Sequence, residues 1–298
     1  MVGTVSTLTD VDVPVQGGAL RVAVWEPEGT ATATVLAIHG ITATSRAWAD
    51  LAEALPDVRI VAPDLRGRGR SNTLPPPYGL VQHAGDLVRV LDALHLPAVP
   101  VVAHSMGAFV AVLLAHAAPD RVESLLLVDG GFPLILPEGV SMEDGPAKLL
   151  GPAFDRLGRI FPSRESYREF WQGHPAFPHP LGRNVEAYVD YDLDPVPGGF
   201  SPSANADAVG TDALQQFGDE RYLAALRGLR MPVTVLRAPR GLLDQPGGLY
   251  AAGRLNGFVD LVPSLRLIEV PDVNHYTIVM SAAGARDIAA ALTAQSPH

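Results

Sequence analysis

The stretch VVAHSMGAFVAVLLAHA, residues 101–117, places a serine between one apolar run and a glycine that opens another. The first run predicts a buried strand and the second a helix, so Ser105 lies at the turn between them. A strand ending in x-x-S-x-G before a helix is typical of a nucleophile elbow, which exposes the serine hydroxyl at the carboxyl end of a sheet. Ala103 stands where that pattern has its first glycine. An isolated serine here could equally cap a helix, so the pattern needs partners elsewhere in the chain.

Short apolar runs alternate with helical patterns on both sides of this stretch. This order predicts an α/β fold, with a mostly parallel central sheet and helices on both faces. A helical pattern is also predicted between the last two strands, and another ends the chain. The predicted strands begin at Ala19, Ala33, Arg59, Val99, Ser124, Met231 and Ser264.

The alternation stops near Gly131 and returns near Leu229. The stretch between is rich in Pro, Gly and aromatic residues and is too long for a plain loop. We therefore predict a core of residues 1–130 and 229–298 and an inserted, mainly helical cap of residues 131–228. Phe132 and Trp171 are its candidate substrate-binding residues. Its other large apolar groups are Leu134, Ile135, Leu136, Phe154, Phe161, Phe177 and Tyr188.

Composition narrows the choice of partners. The chain carries 32 acidic against 22 basic residues, a net charge of -10, and shows no Lys/Arg cluster, which argues against nucleic acid. It has no cysteine, which excludes disulfides and thiolate catalysis. Neither a signal peptide nor a transmembrane run is evident, so we expect a soluble, cytoplasmic protein without a membrane partner. The sequence leaves a homodimer open.

Four motifs fall in the order and spacing of one known family. They are HGITATSRAW from His39, PDLRGRGRS from Pro63, AHSMG from Ala103 and PDVNHY from Pro271. Together they resemble the α/β-hydrolase superfamily, and the chain looks like its serine-esterase branch with a cap between strands 6 and 7. The resemblance implies that PDLRGRGRS supports the active site without catalytic work by Asp64 or Arg66.

The resemblance also implies a catalytic triad of Ser105, Asp244 and His275. The chemistry agrees, because a serine hydroxyl is a poor nucleophile unless an imidazole takes its proton and an acid orients that imidazole. His104 adjoins the serine, but alternation along the strand predicts that its side chain points away. Asp244 follows a late strand in a turn-rich segment, whereas the alternative acid, Asp129, ends the strand that begins at Ser124.

By the same resemblance, the backbone amides of Ile41 and Met106 form an oxyanion hole, and no metal or organic cofactor is needed. The expected activity is hydrolysis of carboxylic esters, lactones included, with a bulky hydrophobic part, through an acyl-enzyme on Ser105. One alternative is a carbon-carbon bond hydrolase of the same fold. Another is a ligand receptor that keeps the triad but turns over very slowly. Epoxide hydrolases and haloalkane dehalogenases are disfavoured, because those branches have an aspartate in place of Ser105.

Overall fold

The computed structural model of the protein describes residues 6–135, 139, 141 and 151–295, without the side chain of Pro152. Leu136, named above among the apolar groups, lies outside the described residues. The strands are β1 (Thr7–Val15), β2 (Gly18–Glu26), β3 (Ala33–Ile38), β4 (Val58–Pro63), β5 (Val99–His104), β6 (Val122–Val128), β7 (Leu193–Val196), β8 (Gly199–Pro202), β9 (Val233–Arg237) and β10 (Leu265–Glu269). The helices are α1 (Ala49–Ala54), α2 (Leu80–Ala93), α3 (Met106–Ala117), α4 (Pro152–Asp155), α5 (Arg164–Gln172), α6 (Arg183–Tyr191), α7 (Ala206–Gln215), α8 (Glu220–Arg227) and α9 (Ala282–Gln295).

The main sheet has eight strands in the spatial order β1-β2-β4-β3-β5-β6-β9-β10. The first two pairings, β1 with β2 and β2 with β4, are antiparallel, and all the others are parallel. This confirms the predicted α/β fold class. Strand β1 was not predicted from the sequence. Most of its residues are exposed, and it is held by ladder hydrogen bonds to β2 rather than by burial.

The central strands are buried on both faces, as their uninterrupted apolar runs predict. Helices α2 and α3 pack together on one face of the sheet, and α1 and α9 pack together on the other. The helix predicted between β9 and β10 is wrong, since that connection contains only a 3₁₀ turn at Arg254–Phe258. Within the described ranges, no helix has both the length and the apolar character needed to cross a bilayer.

The connection between β6 and β9 contains helices α4 to α8 and the antiparallel hairpin β7–β8. Its described part adds no strand to the main sheet. An aromatic cluster fills its interior, where the Trp171 ring contacts Phe177 and Tyr188 at centroid distances of 5.6 and 6.0 Å. These rings belong to the same buried cluster as residues of the main sheet, such as Val128 and Leu236, so the segment packs directly on the sheet.

Candidate active site

A sharp turn joins β5 to α3 and carries Ser105. The backbone of Ser105 has φ 54° and ψ −122°, and its amide donates to the carbonyl of Val128 at 2.9 Å. The turn tolerates no side chain at its two neighbouring glycines. A Cβ at Gly107 would lie 2.4 Å from the carbonyl oxygen of Ile38, and one at Gly130 would lie 2.2 Å from that of Ser105. This crowding explains why the sequence places glycine at both positions.

The Ser105 hydroxyl lies at one end of a chain of buried polar groups. His275 Nε2 is 3.1 Å from Ser105 Oγ, and His275 Nδ1 is 2.7 Å from Asp129 Oδ2. The other carboxylate oxygen of Asp129 accepts a hydrogen bond from the amide of Ala238 at 3.2 Å. Asp129 is fully buried, and Ser105 and His275 are 7% and 5% exposed. The structure therefore brings Ser105, His275 and Asp129 together at the carboxyl edge of the sheet.

The acid favoured from the sequence, Asp244, is not at this position. Its carboxylate accepts hydrogen bonds from Arg240 Nε at 2.7 Å and Asn274 Nδ2 at 2.9 Å, and its side chain is 38% exposed. The hydrogen bonds from Asn274 and Arg240 lower the pKa of Asp244 below its ordinary value. The physical reason is the sheet order: β6 lies directly beside β5, so its end meets the imidazole, whereas the loop after β9 carries Asp244 to the surface.

His104 also differs from expectation, because its side chain lines the cavity beside Ser105 instead of pointing away. Its Nε2 donates to the carbonyl oxygen of His275 at 2.8 Å, and the two rings lie 4.7 Å apart. Burial lowers the pKa of His104 well below its ordinary value, so this ring stays neutral. His104 therefore braces the backbone that carries His275.

The two predicted oxyanion-hole residues flank the serine. Ile41 follows the carboxyl end of β3, and Met106 is the first residue of α3. In the part of the chain that the structure describes, neither amide donates a hydrogen bond to a backbone carbonyl of a turn or loop. The amide of Met106 is one of the first N–H groups of its helix, which have no partner inside the helix. No backbone carbonyl of a described turn or loop therefore occupies either amide.

An interaction that was not predicted from the sequence holds the loop that follows β3 and contains Ile41. Arg68 is completely buried, donates from Nε to the carbonyl of Ile41 at 2.9 Å and forms an ion pair with Asp212 of α7. Asp212 also lies 2.8 Å from Nε2 of His83. Burial acts to raise the pKa of Asp212, but Arg68 and His83 lower it below its ordinary value. The motif PDLRGRGRS contains Arg68, but no sequence pattern indicated that Asp212 is its partner.

The remaining residues of the two early motifs make structural contacts. Burial lowers the pKa of His39 to about 4, and its Nε2 accepts from the amide of Leu65 at 2.9 Å. Asp64 accepts from the amide of Ser45 at 2.7 Å and from Arg70 N at 2.8 Å. The Arg66 guanidinium donates to both carboxylate oxygens of Asp86 at 2.8 and 3.0 Å. Neither Asp64 nor Arg66 lines the cavity beside Ser105.

That cavity has a volume of about 40 Å³. The two candidate substrate-binding residues, Phe132 and Trp171, are not among its described lining. Phe132 is fully buried against Phe258, with ring centroids 4.8 Å apart, and Trp171 lies behind Tyr276 at 6.0 Å. No three His, Cys, Asp or Glu side chains in the described ranges converge so as to hold a metal ion. The lining residues are Gly40, Ile41, Thr42, Ala43, Ala47, His104, Ser105, Leu134, Ala153, Tyr188, Gln216, Leu242, Leu249, His275, Tyr276 and Met280.

The sheet order, the strained serine turn and the buried histidine–aspartate pair define an α/β protein with a nucleophile elbow. The chain belongs to the α/β-hydrolase-fold family, whose sequence profile matches residues 33–279. It is 26% identical over 243 residues to 2-(acetamidomethylene)succinate hydrolase from Mesorhizobium japonicum, covering 81% of each chain. It is 43% identical over 110 residues to lipase LipV from Mycobacterium tuberculosis, covering 37% of this chain and 41% of that protein.

Solved structures show the same architecture over nearly the whole chain. The structure of E-2-(acetamidomethylene)succinate hydrolase matches with a TM-score of 0.74 and 23% identity, covering 97% of each chain. The thioesterase domain from the curacin biosynthetic pathway matches with a TM-score of 0.74 and 22% identity, covering 95% of this chain and 99% of that one. These likenesses establish the fold.

Proposed function

We propose that the protein hydrolyses carboxylic esters, lactones included, through an acyl-enzyme on Ser105. The observation that carries the proposal is the continuous contact from Ser105 Oγ to His275 Nε2 and from His275 Nδ1 to Asp129, at 3.1 and 2.7 Å, beside a cavity. A buried imidazole placed between a hydroxyl and a carboxylate is the arrangement that activates serine as a nucleophile.

In this proposal His275 accepts the proton of Ser105 as the oxygen attacks the ester carbonyl carbon. Asp129 fixes the tautomer of His275 and stabilises the imidazolium, which then protonates the departing alcohol. Water, deprotonated by the same ring, hydrolyses the acyl-enzyme. The backbone amides of Ile41 and Met106 would stabilise the negative charge on the carbonyl oxygen, an effect worth about 3 kcal/mol for one donor in a comparable site.

We propose further that residues 131–228 act as a cap over the cavity. Support comes from the lining itself, since Leu134, Ala153, Tyr188 and Gln216 all belong to this segment. The buried ion pair between Arg68 and Asp212 joins it to the loop that follows β4. The cap would therefore exclude water from the acyl-enzyme and limit the size of the substrate.

The space that the described residues leave beside Ser105 supports a substrate with a short acyl chain. A cavity of about 150 Å³ in another protein holds benzene, and the one beside Ser105 has about 40 Å³. Its described lining is mainly apolar, with Ile41, Leu242, Leu249 and Met280 among its side chains. Burial against such groups favours the hydrocarbon part of a substrate.

Initial rates on p-nitrophenyl esters from acetate to dodecanoate test this function. We expect the highest kcat/KM for short acyl chains, and a loss of kcat in Ser105→Ala of about 10⁶-fold, as for serine removal in a comparable triad. A vinylogous diketone in the same panel tests the alternative that the protein is a carbon-carbon bond hydrolase. Cleavage of the diketone without any ester turnover would overturn the proposal, and so would very slow turnover of every compound.

A further inference from the structure

Among the described residues that line the cavity beside Ser105, Gln216 has a buried side-chain nitrogen without a hydrogen-bond partner. Gln216 directly follows α7, is 3% exposed and lines the cavity together with Ser105 and His275. Its side-chain Nε2 is buried and has no hydrogen-bond partner among the described residues. A buried amide without a partner is costly, and native proteins satisfy most such groups. Because Nε2 has almost no accessible surface, a bound ligand can satisfy this donor once the side chain of Gln216 turns towards the cavity that it lines.

Backbone contacts hold Gln216 in this position. Its carbonyl accepts from the amide of Leu134 at 3.0 Å, and its own amide donates to the carbonyl of Ala213 at 3.2 Å. The neighbouring Gln215 has the same chemistry but a different environment. It is exposed, and its Oε1 accepts from the amide of Leu80 at 2.8 Å. Of these two adjacent glutamines, only Gln216 is among the described residues that line the cavity.

The electrostatics of the lining restrict what Gln216 can bind. Among the described residues that line the cavity there is no Lys, Arg, Asp or Glu. A carboxylate on the substrate would lose its hydration there without gaining a cation, which is strongly unfavourable. A purely hydrocarbon group would leave Nε2 of Gln216 unsatisfied. A neutral carbonyl oxygen avoids both penalties, because it accepts a hydrogen bond and carries no charge.

We propose that Gln216 is a specificity-determining residue whose side-chain amide donates to a neutral carbonyl oxygen on the substrate. This inference rests on the proposed function and narrows it to esters that carry a second, uncharged carbonyl in the acyl or the alcohol part. A site built to hydrogen-bond a substrate group discriminates strongly against analogues that lack it.

Matched ester pairs test the proposal. The acyl pair is p-nitrophenyl 4-oxopentanoate and 4-methylpentanoate, which differ in having an oxygen or a methyl group at one position. The alcohol pair is 4-oxopentyl acetate and 4-methylpentyl acetate. In the unmodified protein we expect at least one pair to favour the ketone about 10-fold in kcat/KM, equivalent to ~1.4 kcal/mol. The hemisuccinate ester, which carries a carboxylate, should be the poorest acyl substrate.

Gln216→Met keeps the side-chain length but removes the donor, so the preference for the ketone should collapse towards equality. Gln215→Met is the matched control and should keep the preference of the unmodified protein. Equal handling of both pairs by the unmodified protein would overturn the inference, as would a ketone preference that survives in Gln216→Met.

A binding experiment separates this inference from the proposed function. Ser105→Ala should bind the intact esters without cleaving them, so calorimetry on that variant gives the same ketone-to-methyl comparison without turnover. If the unmodified protein cleaves no ester, the proposed function fails. The role of Gln216 is still supported if Ser105→Ala binds the ketone more tightly than its methyl analogue and the double variant Ser105→Ala/Gln216→Met loses that preference. An absent binding preference would overturn that role even if esters are cleaved.

Discussion

Asp129 and Asp244 both have a positive backbone φ, but their environments differ. Asp129, after β6, has φ 45°, is fully buried and contacts His275. Asp244, in the loop after β9, has φ 61°, has a 38% exposed side chain and contacts Arg240. A carboxylate that must stabilise an imidazolium needs burial beside the ring, and its charge must not already be neutralised by a cation. Only the strand end next to the serine turn meets both conditions.

The largest effect that tests this comparison is expected for Asp129→Asn. The amide has nearly the same shape as the carboxylate, but it neither holds the tautomer of His275 nor stabilises the imidazolium. We expect kcat for a short p-nitrophenyl ester to fall by about 10⁴-fold, as in the equivalent change in a well-studied serine protease. Measurement at saturating substrate, with a melting curve as control, checks this. A kcat within a few-fold of the unmodified protein would contradict the role of Asp129.

An intermediate effect is expected for Asn274→Ala. Asn274 Nδ2 donates to Asp244 and to the carbonyl of Ala176, while its Oδ1 accepts from the amides of Tyr276 and Thr277 at 3.0 and 2.8 Å. Loss of these bonds should shift the turn that carries the adjacent histidine, and a displacement of about 1 Å can cost up to about 10²-fold in rate. Kinetics and a melting curve of the same preparation measure both consequences. Unchanged kcat would mean that the Asp244 loop has no influence on the site.

Asp244→Asn should have the smallest effect on catalysis. Its carboxylate has no contact with His275, and an exposed ion pair such as that with Arg240 contributes at most about 1 kcal/mol to stability. We expect kcat to remain within a few-fold of the unmodified protein, with a small decrease in melting temperature. Steady-state kinetics on the ester used for Asp129→Asn makes the two results comparable. A loss of several orders of magnitude here would restore Asp244 as the acid.

A still smaller effect should depend on pH. Hydrogen bonds from Asn274 and Arg240 lower the folded-state pKa of Asp244 below its ordinary value of 3.8. Its contribution to stability is therefore fully present above that value and is lost as the pH falls through the lower, folded pKa. The difference in melting temperature between the unmodified protein and Asp244→Asn should shrink from pH 7 to pH 3. A difference that grows on acidification would contradict these contacts.

The sequence predicted the parallel sheet, the serine turn and the histidine loop, because each depends on a local pattern. The apolar runs of β3 and β5 and the spacing around Ser105 need no knowledge of distant residues. The choice between Asp129 and Asp244 depends on which strand lies beside β5, and sequence order does not specify sheet order. Strand β1 is exposed at most of its positions, so its formation could not be predicted from burial.

The lining of the cavity was beyond sequence reasoning for a related reason. Aromatic composition drew attention to Phe132 and Trp171, but large aromatic groups often fill a core, and both are buried in packing contacts. Gln216 carried no local signal, because a glutamine at a helix end is usually solvated. Its importance appears only when the fold places its amide in an otherwise uncharged cavity.

The rate and position of covalent labelling by a fluorophosphonate test directly whether Asp129 activates Ser105 through His275. We expect a single adduct on Ser105, located by peptide mass spectrometry, that forms at similar rates in the unmodified protein and in Asp244→Asn. In Asp129→Asn the same adduct should form far more slowly, by roughly the ~10⁴-fold expected for ester turnover. An adduct on another serine, or slow labelling in Asp244→Asn with normal labelling in Asp129→Asn, would contradict a triad of Ser105, His275 and Asp129.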